Sequence, residues 1–219
     1  MFILNCKNYP EASSDRLIKI STISKRLSIK YKIPILIAPP PHMTSEIARH
    51  YKCVISQSTD NAKIGSSTGY MVPELLKKAK IVGSLINHSE HRIPQSEIAI
   101  QVSTLKKLDM LSIVCVQNVR EAKKMVKLNP DYIAIEPPEL IGTGRSVSTH
   151  RPELIVEASK IINGTKNKTK LLCGAGIISG KDVTRAIELG AVGILVASGI
   201  IKVKNYARVM ESFAKSFKG

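Results

Sequence analysis

Three side chains suited to proton-transfer chemistry stand just after short apolar runs of the sequence: Lys7, His88 and Glu136. Singly, each has a plain structural explanation. Strand-end lysines are usually solvated, lone histidines are usually structural, and a carboxylate before proline usually belongs to a turn. Together they supply a cation, an imidazole and a carboxylate base. That combination moves a proton next to a polarised carbonyl, provided that the fold brings the three side chains to one place.

Two turns built of small residues follow the last two apolar runs. They read C-G-A-G-I-I-S-G from Cys173 and V-A-S-G-I-I from Val196. Turns of this kind expose backbone N–H groups, and the loops after the last two strands of phosphate-binding barrels hold a phosphate. A tight turn without a ligand is an equally good interpretation of either turn alone. The prediction of a phosphate site therefore depends on the reactive groups nearby.

The elements that must position these groups are strands that are apolar on both faces. Several runs are apolar at consecutive positions, as in Ile35-Leu36-Ile37, which is typical of parallel strands covered on both sides. Helix-period stretches separate most of the runs, and Ser179 with Asp182 is a capping pair at the start of one of them. The eight predicted strands are 2–4, 35–38, 53–56, 81–86, 112–116, 132–135, 170–173 and 193–196.

Eight strand–helix units predict an α/β fold, a single-domain, eight-stranded parallel (β/α)8 barrel over residues 1–219. Right-handed crossovers repeated eight times close a sheet on itself. An open doubly wound sheet is the alternative, but it favours a Gly-rich turn after the first strand, which the chain lacks. The segments 60–68 and 137–149 show no apolar period and are predicted to be loops.

Composition excludes several classes of protein. Hydrophobic residues make up 43% and charged residues 23% of the chain, so disordered and fibrous proteins are excluded. Uncharged runs such as 190–201 are shorter than the roughly 20 residues that span a bilayer, and residues 1–5 are too few for a signal-peptide core. We therefore expect a cytoplasmic protein without a membrane partner. The cysteines stand too far apart for a zinc cluster or a redox pair, so no metal is expected.

The chain is strongly basic, with 33 Lys and Arg against 17 Asp and Glu and a net charge of +16. This balance favours a polyanionic partner, and a nucleic-acid-binding protein is the alternative from a different class. However, the lysines lie in pairs on predicted helix exteriors, and aromatic residues make up only 4% of the chain. Because base stacking needs aromatic side chains, a solvated basic surface is favoured and no specific nucleic acid is expected.

Over nearly its whole length, the sequence resembles the triosephosphate isomerase family in the short form typical of archaea. The resemblance rests on N-x-K at Asn5, H-S-E at His88, E-P with I-G-T-G from Glu136, G-A-G at 174–176 and A-S at Ala197. It implies a TIM barrel that interconverts dihydroxyacetone phosphate and D-glyceraldehyde 3-phosphate through an enediolate, in glycolysis and gluconeogenesis. It also implies that no organic cofactor or metal takes part.

The resemblance gives each motif residue a role. Glu136 is implied as the catalytic base, and His88 as a neutral electrophile with Glu90 in support. Lys7 is implied as a catalytic residue that balances the negative charge of the substrate, which Asn5 also contacts.

A mobile lid and a phosphate site are implied in the same way. The lid spans 137–144, and the region of Ile141 and Gly142 contacts substrate or phosphate. In bacterial and eukaryotic members the lid carries a tryptophan, whereas this chain has none and reads P-E-L at that place. The implied phosphate contacts are Gly176, where the family commonly has serine, Ala197 and Ser198.

Assembly and rival chemistry complete the expectations. G-S-S-T-G at 65–69 resembles the family's projecting loop that reaches into a neighbouring subunit, and the compressed stretch 92–163 implies a homotetramer by resemblance to archaeal members. Another phosphosugar barrel, an epimerase or a Schiff-base aldolase, is the second enzyme interpretation. An aldolase needs a lysine in a barrel strand, whereas the sixth predicted strand ends at Glu136.

Overall fold

The computed structural model describes residues 1–218, whose strands form a parallel sheet that curls into a nearly closed barrel. Within this range the sheet has seven strands: β1 (Phe2–Asn5), β2 (Ile35–Ala38), β3 (Gly83–Ile86), β4 (Leu111–Val116), β5 (Tyr132–Ile135), β6 (Lys170–Cys173) and β7 (Gly193–Val196). Their order is β2-β1-β7-β6-β5-β4-β3, and all neighbours run parallel. The predicted barrel architecture is confirmed, with one difference in strand count.

The difference lies at the third predicted strand, 53–56. This segment lies between β2 and β3 and pairs with each through a single bridge, Ile37 with Val54 and Ser56 with Ser84. The chain leaves the sheet directly afterwards, because the Ser56 hydroxyl turns back to donate to a carbonyl in the following turn. The barrel is therefore closed by seven strands and one bridging segment.

Helices follow the strands and cover the outside of the sheet. They are α1 (Ser14–Tyr31), α2 (Thr44–His50), α3 (Pro73–Lys78), α4 (Gln95–Lys107), α5 (Val119–Met125), α6 (Val147–His150), α7 (Pro152–Asn163), α8 (Gly180–Glu188), α9 (Ser198–Ile201) and α10 (Tyr206–Lys215). At the start of α8, Ser179 and Asp182 exchange side-chain to backbone hydrogen bonds, so the predicted capping pair is confirmed. Among residues 1–218, none of the helices combines the length and apolar character that a membrane span needs.

The predicted loop 137–149 holds more structure than expected. A 3₁₀ turn forms at Pro138–Leu140, and α6 begins within the segment. The helix starts there because the Ser146 side chain accepts the N–H of Ser148 and caps its first turn. The segment 60–68 is free of helix and strand, as predicted.

The core has a layer on each face of the sheet. Inside the barrel, strand residues such as Ile3, Ile113 and Leu172 pack together, so the interior is filled. Outside, Phe2 and Leu4 belong to the layer that packs against the helices. Double burial explains the continuous apolar runs in the sequence, because both faces of these strands exclude water.

Candidate active site

The carboxyl ends of the strands bring most of the predicted site residues to one pocket. Lys7 follows β1, His88 follows β3 and Glu136 follows β5, so three separate strand ends supply the reactive groups. The pocket wall includes these predicted residues: Asn5, Lys7, His88, Glu136, Ile141, Gly142, Gly176, Ala197 and Ser198. Glu90 lies outside this wall and reaches the site through its contact with Lys7.

Hydrogen bonds hold both the backbone and the side chain of Lys7. Its φ is 49°, and its N–H donates to Oδ1 of Asn5 at 3.0 Å. Its carbonyl accepts from Nε2 of Gln57 at 3.1 Å. Its Nζ donates to Oε1 of Glu90 at 2.6 Å, and its side chain is only 10% exposed. The ammonium is therefore a nearly buried positive charge at the pocket, paired with the carboxylate of Glu90.

His88 is held in one tautomer by the backbone beside it. The N–H of Glu90 donates to Nδ1 of His88 at 3.2 Å. A ring nitrogen that accepts a hydrogen bond carries no proton, so the proton of the neutral imidazole is on Nε2. That Nε2 lies 3.7 Å from Oε2 of Glu136, on the pocket side. The imidazole therefore presents a donor to whatever occupies the pocket.

Glu136 is a buried carboxylate with unused hydrogen-bonding capacity. It is 6% exposed, and within residues 1–218 its Oε2 has no hydrogen-bond partner. Gly174 makes room for it, since a Cβ at position 174 would overlap the Glu136 side chain. Buried polar atoms are nearly always paired, so an unpaired carboxylate oxygen facing a pocket indicates a group that meets a ligand.

Cys115 is a neighbour of the site to which the sequence analysis gave no role. It lies at the inner face of β4, and its pKa is raised by burial and further by the adjacent Glu136 carboxylate. The side chain is therefore a neutral thiol against the base. Its place in the alternating inner positions of β4, two residues after the inward Ile113, is the signal that would have found it.

The two small-residue turns form the opposite wall of the pocket. Gly176 has a φ of 71°, and a Cβ there would overlap the Arg145 carbonyl at the end of the lid segment. Ala197 precedes α9, and Ser198 is its first residue. First-turn N–H groups of a helix have no partner within the helix, so this wall offers backbone donors.

Tyr9 is a second wall residue that the sequence interpretation missed. Its ring lies 6.0 Å from Nζ of Lys7 and 4.4 Å from Nζ of Lys202, between two cations. Its position two residues after Lys7, in the same loop, is the available sequence signal.

No three His, Cys, Asp or Glu side chains in the described chain gather closely enough to hold a metal ion.

The fold is a (β/α)8 barrel, and at the carboxyl ends of its strands a lysine, a histidine and a glutamate lie in one pocket with two turns of small residues. The family model for triosephosphate isomerase matches residues 1–213. A triosephosphate isomerase from Cenarchaeum symbiosum (strain A) is 48% identical over 216 residues, covering 99% of this chain and 97% of the relative. One from Methanothermus fervidus is 37% identical, covering 96% of each chain.

A solved structure agrees in fold. The crystal structure of triosephosphate isomerase from Bartonella henselae superposes with a TM-score of 0.76 at 17% identity, and covers 100% of this chain and 99% of that one. The family match and the relatives together establish the identity at family level. The chain belongs to the triosephosphate isomerase family.

Proposed function

We propose that the pocket interconverts dihydroxyacetone phosphate and D-glyceraldehyde 3-phosphate through an enediolate, the step that the two compounds share in glycolysis and gluconeogenesis. The observation that carries this proposal is the unpaired Oε2 of Glu136 beside the protonated Nε2 of His88. A base and a neutral donor 3.7 Å apart fit the two ends of a C–H and carbonyl unit. Membership of the isomerase family supports the same chemistry.

Glu136 takes the proton in this scheme. Its carboxylate removes a carbon-bound proton next to the substrate carbonyl, and the electron pair moves to the carbonyl oxygen to give an enediolate. The resulting carboxylic acid returns a proton to the adjacent carbon, and the hydroxyl proton moves from one enediolate oxygen to the other, which completes the exchange of aldose and ketose. Burial of the carboxylate supports this role, because few water molecules compete for its free oxygen.

His88 and Lys7 stabilise the charge that develops on oxygen. Nε2 of His88 donates to the enediolate oxygen, and the Lys7 ammonium balances the negative charge. The Glu90 backbone and carboxylate support both groups, since one holds the ring tautomer and the other holds the ammonium. Asn5 fixes the turn on which Lys7 sits and contacts substrate.

The phosphate of the substrate binds to the backbone of Gly176, Ala197 and Ser198. The lid at 137–144 closes over it and brings Ile141 and Gly142 to the ligand. Closure excludes water and keeps the enediolate from losing its phosphate. A Cβ at position 176 would overlap the Arg145 carbonyl, so the backbone of the phosphate turn is in direct contact with the residue that follows the lid. This close contact supports the arrangement.

A coupled assay run in both directions tests the proposed function. Purified protein should convert each triose phosphate to the other, and in D₂O the product should carry deuterium at the carbon that gains the proton. An aldolase would instead be trapped on its substrate by borohydride, and an epimerase would leave both triose phosphates unchanged. Absence of interconversion at micromolar enzyme would contradict the proposal.

We also propose a single-domain subunit that assembles into a cytoplasmic homotetramer. The loop at 65–69 supports self-association, because the residues that flank it, Ile64 and Tyr70, expose 53% and 60% of their surfaces. Light scattering after size-exclusion chromatography measures the mass. A mass of one subunit of 24.0 kDa would contradict the proposal.

A further inference from the structure

Arg16 joins the first turn of α1 to the far end of α9, the short helix that begins at Ser198. One nitrogen, Nη2, donates to the carbonyl oxygens of Ile201 at 2.6 Å and Val203 at 2.8 Å. The guanidinium lies over the ring of Tyr206, 4.6 Å from its centroid. These contacts connect segments more than 180 residues apart in the chain.

α9 needs an outside support because it is a single turn. A helix this short has almost no stability of its own, and its last carbonyls have no partner within the helix. The carbonyl of Ile201 is one of these, and Arg16 gives it a charge-assisted hydrogen bond. A cation at the carboxyl end of a helix is also favourable to the helix dipole.

The other side of α9 packs on the small-residue turn that follows β6. Gly199 lies directly against the carbonyl of Ile177, one residue beyond Gly176. Lys202, just after α9, reaches over Tyr9 in the loop that carries Lys7. α9 is therefore clamped between the first loop of the barrel and the loop after β6, and Arg16 holds its carboxyl end.

We propose that Arg16 is a positioning residue for phosphate recognition, which sets α9 so that the backbone at Ala197 and Ser198 faces the phosphate. The inference rests on the proposed function, because that function supplies the phosphate. Arg16 is not part of the pocket wall formed by the described residues. It acts through the helix rather than by touching the ligand.

Two glutamine variants test the proposal. Arg16→Gln removes the charge and the donor pair, and Arg208→Gln removes the same charge from an exposed position on α10. Isothermal titration with inorganic phosphate should give a Kd about tenfold higher for Arg16→Gln than for Arg208→Gln. The KM for glyceraldehyde 3-phosphate should rise about as much, while kcat stays within about threefold of wild type, because the groups that move the proton are intact.

Arg16→Lys keeps the charge and one donor, and its phosphate Kd should lie between wild type and Arg16→Gln. It also preserves the test if Arg16→Gln fails to fold. A lysine variant with wild-type Kd and KM would overturn the positioning role, since the bonds of the guanidinium to both carbonyls would then not be needed for phosphate binding. A lower Tm with unchanged phosphate Kd and KM would also overturn it, since Arg16 would then be only structural. If wild-type protein bound phosphate without interconverting the triose phosphates, the proposed function would fail, and the phosphate Kd values alone would decide the role of Arg16.

Discussion

Strand β5 has a carboxylate at each end, and the two differ in their hydrogen bonding. Before the strand, Oδ2 of Asp131 accepts from the N–H and the hydroxyl of Ser112 at 2.9 and 2.8 Å, and the Asp131 N–H donates back to that hydroxyl at 3.0 Å. After the strand, Oε2 of Glu136 is buried and has no hydrogen-bond partner within residues 1–218. The carboxylate before β5 therefore has hydrogen-bond partners in the protein, whereas the one after β5 has an oxygen that is available to a ligand.

The comparison separates stability from activity along one strand. A carboxylate that has its hydrogen bonds contributes to the fold, and its removal costs stability. A buried carboxylate without a partner costs stability and is retained for what it does to a ligand. Substitutions at the two ends should therefore change different measurements.

Glu136→Gln is the largest expected effect. The amide keeps the shape of the side chain but cannot accept a proton, so kcat should fall about 10³-fold with little change in KM. The Tm should not fall, because no hydrogen bond to Oε2 is lost. Steady-state kinetics and a thermal melt measure the two quantities. Asp131→Asn is the matched control at the other end of β5, and it should retain wild-type kinetics. Near-wild-type turnover of Glu136→Gln would remove this residue from the mechanism.

Lys7→Met should come next. The variant keeps most of the side-chain volume and loses the charge, so kcat/KM should fall about 100-fold through both a higher KM and a lower kcat. Lys19→Met, on the exposed side of α1, loses the same charge and should leave the kinetics unchanged. If both variants behaved alike, Lys7 would be a rim lysine without a part in the reaction.

Ser112→Ala acts on the opposite end and should leave kcat and KM unchanged. The serine is 1% exposed, and its hydroxyl both donates to and accepts from Asp131. Its loss should lower the free energy of unfolding by about 1 to 2 kcal/mol and Tm by roughly 2 to 8 °C. Ser103→Ala, at an exposed position on α4, is the control that should not lower Tm. A kinetic defect in Ser112→Ala without loss of Tm would contradict the division between the two ends.

The smallest effect concerns the α-amino group of Met1, also at the amino end of the barrel. Burial and the nearby charge of Lys170 lower its pKa from 8.0 to about 6, and it donates to the Val192 carbonyl at 2.9 Å. Between these two pKa values the unfolded chain binds more protons than the folded one. The contribution of this group to stability therefore rises with pH through that window and is flat outside it.

A Gly-Ser extension before Met1 moves the amino group out of this environment. The gain in Tm from pH 5.5 to pH 8.5 should be larger for the chain that begins at Met1 than for the extended one, since groups other than the amine contribute equally to both. Equal gains would show that the amine is not the group responsible.

Local signals in the sequence predicted much of the fold. The capping pair of Ser179 and Asp182 forms because both partners lie within one turn of helix. The consecutive apolar runs predicted buried strands because water is excluded from both faces. The segment 53–56 has the same composition and makes only one bridge on each side, because ladder length depends on where the neighbouring chains turn away.

Contacts between residues of different strands, helices and loops could not be predicted from the sequence. The alternation along β4 places Cys115 inside, but only the pairing of β4 with β5 brings it against Glu136. The Arg145 carbonyl that covers Gly176, and the Arg16 bonds to the end of α9, join segments that no local pattern relates. The strand-end position of Lys7, His88 and Glu136 was predictable, whereas their hydrogen-bond partners required the assembled fold.

The bridging segment at 53–56 is held in the barrel by fewer backbone pairings than the strands are, so the barrel should open more easily there. Each of its sides is one bridge long, whereas β3 and β4 share four paired positions. Amide protons at Ile55 and Ser56, which donate to the carbonyls of Ile37 and Gly83, should therefore exchange with solvent through smaller openings than those of β4, which is paired along both sides. This weakly paired segment is also close to the pocket, because Gln57 follows it directly and donates hydrogen bonds to the carbonyls of Lys7 and Ala38. Opening of the wall at this segment would therefore disturb the backbone of Lys7 through Gln57.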